Sequence, residues 1–328
     1  MKAIVQNRYG GPDVLSYDDV PRPAVDGDRV LVRVRAAALN AWDWHVVRGD
    51  PAVSRLAFGL TRPRNRVRGR DLAGVVEEVG PAVTRFRPGD EVFGDAGAAE
   101  GAFAEYAAVA ENLLAVKPPD VTFEQAAAVP LAGLTALRGV RDVGRAGPGR
   151  RILINGASGG VGTFAVQLAG RLGAEVTAVC SGRNADLVRS LGADHVIDYT
   201  RADFTAGGQR YDVVLDLVGN RSLGECRGVL NPGGTLILSG GGVYEGGSLL
   251  GPMGLVIRGR VASRLARDRR VVVLETAPDR AVLDVLAGMV SAGTLTPAIA
   301  RTWPLAATAD AIRHLETGHA SGKLVVTV

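Results

Sequence analysis

The run Val30-Leu31-Val32-Arg33-Val34-Arg35 alternates apolar with basic side chains, the period of a strand with one buried and one wet face. Similar runs crowd the first third of the chain. Met1-Lys2-Ala3-Ile4-Val5 opens as a strand, Leu72–Gly80 is a strand ending in a turn, and Arg87-Pro88-Gly89-Asp90 places a Pro-Gly turn before a short strand at Glu91–Gly94. Phe103–Val109 follows. Short strands with turns between them predict a compact, barrel-like β domain. Pro118-Pro119-Asp120 breaks that pattern; Thr122-Phe123-Glu124-Gln125 then has the spacing of a capping box, and the alanine-rich segment 126–143 predicts one or two helices. Next comes a different rhythm. Ile152–Ile154, a helix with Phe164, Leu168 and Leu172 on one face and Gly173 at its stop, Val176–Cys180, Tyr211–Asp216 and Gly234–Leu238 alternate strand with crossover, which predicts a parallel sheet. Beyond about Gly259 the pattern turns to a strand at Val271–Leu274, helices at Asp279–Ser291 and Ala307–Thr317, and a last strand at Leu324–Val328. The expected domains are therefore a β-rich part over 1–121, a central α/β part over 122–260, and a return segment over 261–328 that completes the first.

A chain of 328 residues has room for two such cores. Although 47% of its residues are hydrophobic, no apolar run approaches the ~20 residues of a membrane span, and the N-terminus lacks a signal core, so a cytoplasmic location is expected. The net charge of +4 suits an anionic small molecule and does not argue for nucleic acid. Arg62, Arg64, Arg66, Arg68 and Arg70 recur at every second position, either as a solvated loop entering a strand or as a contact for phosphate or a partner. The two cysteines, Cys180 and Cys226, have no metal-ligand spacing and exclude a disulfide scaffold; no metal is expected.

The chemistry concentrates in Asn155-Gly156-Ala157-Ser158-Gly159-Gly160-Val161-Gly162, between the first strand of the parallel pattern and its helix. Glycines there let the backbone approach a pyrophosphate, and the helix start offers unpaired N–H groups and partial positive charge. With strand, helix and second strand all legible around it, the turn predicts a dinucleotide site. The end of the second strand chooses the dinucleotide. A carboxylate there would accept from the ribose 2′-hydroxyl, but Cys180 is followed by Ser181-Gly182-Arg183-Asn184, with no acid until Asp186. Hydroxyl, guanidinium and amide are phosphate partners, which points to NADPH; the competing arrangement is a helix capped by Ser181 beside a solvated arginine.

Taken with Asn40-Ala41-Trp42-Asp43, Gly69–Val76, Arg87–Gly94, Ala132–Ala136, Leu191–Tyr199 and Gly322-Lys323, in that order and spacing, the whole chain resembles the medium-chain dehydrogenase/reductase superfamily, and within it the zinc-free quinone oxidoreductase branch. The resemblance implies an α/β fold: a Rossmann-type doubly wound parallel sheet domain plus a β-rich GroES-like catalytic domain formed from both chain ends. Zinc-dependent members carry a cysteine near Asn40 and a His-Glu pair at Arg70-Asp71, so the family's zinc has no ligands here. Hydride addition to a conjugated system, whose charge spreads onto a distant oxygen, is then easier than simple alcohol oxidation. By family position Asn40 and Asp43 border the nicotinamide, Thr135 lies by its ribose, and Ser158, Gly159, Gly160 and Val161 hold the pyrophosphate. Tyr199 stands by the adenosine phosphate or simply packs. Val218 and Ser239-Gly240-Gly241 follow strands whose ends face the cofactor, and Lys323 reaches the cofactor or lies on the surface. His45 stands where relatives often have tyrosine: it donates to a substrate oxygen or supplies a proton, or it is held by packing against Trp42 and Trp44. Asp43 reads as a structural acceptor. The expectation is an NADPH-dependent reductase of quinones or α,β-unsaturated carbonyls, with His45, Asn40 and Asp43 at the reacting end and a homodimer formed by edge strands. The alternatives are an enoyl-thioester or specialised biosynthetic reductase, with Leu56, Phe58, Leu60 and Leu255 lining an acyl channel, and a non-catalytic NADPH sensor.

Overall fold

The computed structural model describes residues 1–239, 254, 259–260, 268–318 and 320–328. Contacts sort them into two compact units, Met1–Leu134 with Ala277–Val328, and the described residues from Thr135 to Thr276. The strands are numbered in chain order.

In the first unit, β1 (Lys2–Gln6) and β2 (Leu15–Asp19) form a hairpin. The main sheet runs in the order β14 (Ile299–Pro304), β15 (Lys323–Thr327), β3 (Arg29–Leu39), β4 (Asp71–Val79), β5 (Glu91–Asp95) and β7 (Leu114–Val116), with β6 (Tyr106–Ala110) also paired to β3. The eleven-residue β3 is its spine: Arg29–Arg33 pairs with β6, Ala36–Leu39 with β15, and nearly the whole length with β4. Arg33 and Arg35 point to solvent while Val30, Val32 and Val34 are buried, as the alternation predicts. Past Arg35 the strand is apolar and buried on both faces, and the helix Phe123–Ala127 packs on β3 and β4. That helix begins with the expected capping box: Thr122 Oγ1 accepts from Gln125 N at 3.2 Å and Gln125 Oε1 accepts from Thr122 N at 3.0 Å.

The second unit is an all-parallel six-stranded sheet in the order β10 (His195–Asp198), β9 (Glu175–Cys180), β8 (Arg151–Asn155), β11 (Tyr211–Asp216), β12 (Leu230–Leu238) and β13 (Arg270–Val273). The order reverses at β8, the place where open α/β sheets bind ligands. Leu153, Val179, Val214, Leu236 and Val271 build one side of its core.

Two boundaries move. β13 pairs with β12, so the strand expected at Val271–Leu274 closes the parallel sheet, and the return segment starts at Ala277 instead of 261. At the other end the helix Phe123–Ala127 packs on the first unit, which carries its limit from 121 to Leu134. Prolines and composition mark where the chain turns, and long-range pairing decides where each segment packs. Local pattern also left β14 and the helix Ala41–Arg48 unassigned: the strand is mostly exposed and does not alternate cleanly.

A Cβ on Gly162 would sit 2.2 Å from Gly156 O and 2.6 Å from Ala157 O, whereas one on Gly159 meets nothing closer than 3.4 Å. Gly162→Ala is expected to destabilise the fold by about 1–3 kcal/mol through overpacking against backbone, and Gly159→Ala by much less. Urea unfolding of the two variants checks this; equal midpoints would contradict it.

Candidate active site

β8 ends at Asn155, and the chain reverses through Gly156, whose φ of 85° suits glycine. The helix Gly160–Arg171 then starts with Gly159 as its cap residue, so the first-turn N–H groups of Gly160, Val161 and Gly162 belong to an anion-binding terminus. Gly162 lets the helix approach the turn closely. A knot that sequence reasoning missed braces this end of the sheet. Asn155 Nδ2 donates to Asp216 Oδ1 at 2.9 Å and to Asn220 Oδ1 at 3.0 Å, and the same Asp216 oxygen accepts from Val218 N and Gly219 N. Val218 is thereby held in a loop pinned to β8.

At the end of β9, Asn184 is buried and its Nδ2 donates to Ser158 Oγ (3.0 Å) and Ser181 Oγ (3.2 Å). The Asn184 amide ties the second turn to the glycine turn. Ser181 does not cap the following short helix with its side chain; Arg183 is exposed, and Tyr199 is 45% exposed. No acid follows Cys180 in the chain before Asp186, but strand pairing brings one beside this strand end. β10 pairs with β9 so that Asp198 stands beside Cys180, and a Cβ on Gly182 would lie 2.5 Å from Asp198 Oδ2. The Thr200 hydroxyl and N–H, with the Gly182 N–H, hold the Asp198 carboxyl below its ordinary value. Chain distance hid this acid, and strand pairing delivers it.

In the first unit, the pairings Leu324↔Leu39, Ala38↔Asp71 and Asp71↔Asp95 set a row of charged residues across adjacent strands. Asn40 is 8% exposed; its Nδ2 donates to Asp71 Oδ2 at 3.0 Å and its Oδ1 accepts from Lys323 Nζ at 2.6 Å. Lys323 is buried, which excludes the surface-lysine reading. Asp71 also accepts from Leu131 N, and Arg70 binds Asp95 through two bonds of 2.8 and 2.6 Å. Asp43 heads the helix Ala41–Arg48, where its Oδ2 accepts from Asn40 N at 2.6 Å. Burial pushes the Asp43 carboxyl up to about 7, against the Asn40 N–H that pulls it down. Burial also raises Asp71, to about 6, with the Lys323 ammonium opposing, and lowers the Lys323 ammonium itself.

His45 stacks on Trp44 with ring centroids 3.6 Å apart, and its Nδ1 lies 2.8 Å from Asp50 O. A carbonyl only accepts, so Nδ1 carries a proton and the neutral ring presents Nε2 as an acceptor. Donating a proton from Nε2 therefore requires the imidazolium. Thr135 is buried in the helix Pro130–Leu137, and Ser239 is buried just past β12. Gly240, Gly241 and Leu255 lie outside the described residues. The arginine row divides: Arg62, Arg64 and Arg66 are exposed, while Arg68 and Arg70 are buried against Glu100 and Asp95. It is therefore not one solvated strip. Leu56 and Leu60 are 66% and 68% exposed.

Residues 26–120 match the alcohol dehydrogenase GroES-like domain, and residues 191–326 match the family described as zinc-binding dehydrogenase. The chain is 37% identical to the chloroplastic NADPH-dependent alkenal/one oxidoreductase of Arabidopsis thaliana, covering 99% of this chain and 79% of that protein. It is 35% identical to the 2-methylene-furan-3-one reductase of Solanum lycopersicum over the same shares of each. Among solved structures, the quinone oxidoreductase of Coxiella burnetii superposes with a TM-score of 0.87 at 32% identity, covering 100% of this chain and 99% of that one. Zinc does not fit the residues present. Among the described residues no group of three or more His, Cys, Asp or Glu could hold a metal ion, and Asp71 already faces an ammonium. A dinucleotide does fit: the turn through Gly156 leads into a helix whose first-turn N–H groups are those a helix start offers to an anion, and Gly162 lets that start pack against the turn. No described helix is long and apolar enough to cross a membrane.

Because the Asp43 carboxyl is raised, the folded chain keeps a proton that the unfolded chain releases near pH ~4, and stability falls as pH rises from about 4 through about 7. Asp43→Asn keeps an acceptor for Asn40 N but cannot ionise, so its thermal midpoint should decline less between about pH 5 and 8. Parallel melting series check this, and identical slopes would contradict it.

Proposed function

The chain belongs to the medium-chain dehydrogenase/reductase superfamily, in its zinc-free quinone oxidoreductase branch, and from that premise we propose that it is an NADPH-dependent reductase of quinones and α,β-unsaturated carbonyls. One observation carries the reading: a glycine turn leading into a helix start lies in a chain that aligns along 99% of its length with an enzyme named for NADPH and for alkenals and alkenones. When bound, NADPH supplies the hydride. Ser158, Gly159, Gly160 and Val161 hold the pyrophosphate, with the helix-start N–H groups of Gly160 and Val161 donating while the Gly159 N–H closes the turn on Gly156 O; Ser181 and Arg183 take the 2′-phosphate, and Thr135, Tyr199, Val218 and Ser239 line the remainder. Asn184 acts one step back, holding Ser158 and Ser181 in place.

On the substrate side, Asn40 presents its amide to the reacting groups, and Asp43 fixes the backbone of Asn40. Hydride addition to the β-carbon of an enone moves the π electrons onto oxygen, and the resulting enolate takes one proton at carbon. His45 supplies that proton from Nε2 as the imidazolium, with Nδ1–H anchored on Asp50 O. Reduction of a quinone needs no carbon protonation and depends less on His45. The same reading carries a homodimer built on edge strands in the cytoplasm; light scattering tests the former.

Loss of NADPH absorbance with 1,4-benzoquinone and with a short enone tests the function, repeated with NADH. Arg183→Ala should raise the KM for NADPH about tenfold or more, the worth of one charge-assisted hydrogen bond, and leave that for NADH nearly unchanged. A parallel rise for both nucleotides would remove the 2′-phosphate contact. His45→Gln should lower kcat for the enone by about a hundredfold and affect the quinone far less.

A further inference from the structure

Lys323 heads β15, and the pairing Leu324↔Leu39 sets it beside Asn40. Its Nζ donates to Leu39 O at 2.8 Å and to Asn40 Oδ1 at 2.6 Å, and lies 3.7 Å from Asp71 Oδ2, with 2% of the residue exposed. A main-chain carbonyl, an amide oxygen and a carboxylate oxygen converging on one small cation resemble the oxygen set of a hard-metal site. Here a side chain of the protein fills that set. We propose that Lys323 is a built-in cation that takes the electrostatic place of the metal in the family's zinc-binding members and, as a positioning residue, sets the direction of the Asn40 amide.

The chemistry leaves Asn40 one orientation. An ammonium has donors only, so the amide oxygen faces it. Nδ2 then faces Asp71 and uses one hydrogen on that carboxylate. The second Nδ2 hydrogen is the one that remains for a bound molecule. Asp71 completes the arrangement because a buried ammonium needs a compensating carboxylate nearby, and removing one member of such a pair strands the other. Arg70, the neighbouring cation, is committed to Asp95 by two hydrogen bonds and cannot replace Lys323. A metal ion at the end of β3 would have to displace the ammonium from these oxygens. The cation role rests on this geometry, and the positioning role rests also on the proposed placement of Asn40 at the reacting groups.

Lys323→Ala removes the equivalent of propylammonium, so the test is chemical rescue. The variant should melt several degrees lower than the parent. Propylammonium chloride should raise its midpoint in a saturable way, leaving the parent unmoved, while propanol and tetrapropylammonium should do neither. In the same samples kcat for benzoquinone should fall about tenfold or more and recover with propylammonium, while the NADPH affinity read by fluorescence stays within about threefold. Lys323→Met, which keeps the apolar stem, covers the case in which the alanine variant does not fold. A methionine variant with the parent's midpoint and kcat overturns the inference, as does one equivalent of zinc retained by the parent after incubation and desalting. Recovery of the midpoint without recovery of kcat overturns the positioning role. If the parent itself reduces no acceptor, the functional proposal fails, and rescue of the midpoint still decides the cation.

Discussion

The register between β15, β3 and β4 is the constraint on which the first unit depends. Leu324 opposite Leu39 and Asp71 opposite Ala38 bring an ammonium, an amide and a carboxylate together where apolar strands end. A slip of one residue in either pairing would turn Lys323 or Asp71 to the opposite face and leave its partner charged and alone in a dry interior. Hydrophobic pattern and charge pairing thus enforce the same register. The stretch Ala36–Leu39 is buried along its whole length and pairs with β15, and in that register the charges meet.

The two units handle charge by different means. In the first, cations and anions of the side chains neutralise one another: Lys323 with Asp71, Arg70 with Asp95, and Arg68 with Glu100. The raised carboxyls of Asp43 and Asp71 follow from that dry setting. The second unit offers an anion the N–H groups of a helix start, braced from below by the Asn155–Asp216 knot. Backbone dipoles bind a pyrophosphate without bringing a buried side-chain charge of their own, and the glycines give it close access to them. With no group of His, Cys, Asp or Glu among the described residues able to hold a metal ion, the second unit still offers a dinucleotide its helix start.

Much of this was legible along the chain. The strand at Tyr211–Asp216, the capping box at Thr122, the helix after the glycine turn and the order of the sheet-forming runs are all local statements about period, cap and turn, and local chemistry dictates them. The family resemblance also lay in short motifs, because a turn that must approach a phosphate tolerates few sequences. Composition placed the charge and excluded a disulfide scaffold in the same way.

Pairing across distance decided the rest. Val271–Leu274 has the pattern of any short strand, and only its partner β12 assigns it to the parallel sheet. Asp198 is eighteen residues beyond Cys180 in the chain and adjacent to it in the sheet. Lys323 has nothing in its neighbours to show that it is buried; its place follows from antiparallel pairing with a strand almost three hundred residues earlier. The sequence by itself determined the elements and the nucleotide turn, since those depend on neighbours within a few residues. Tertiary structure alone decided which charges meet, because a polar group's buried partner is chosen by strand register.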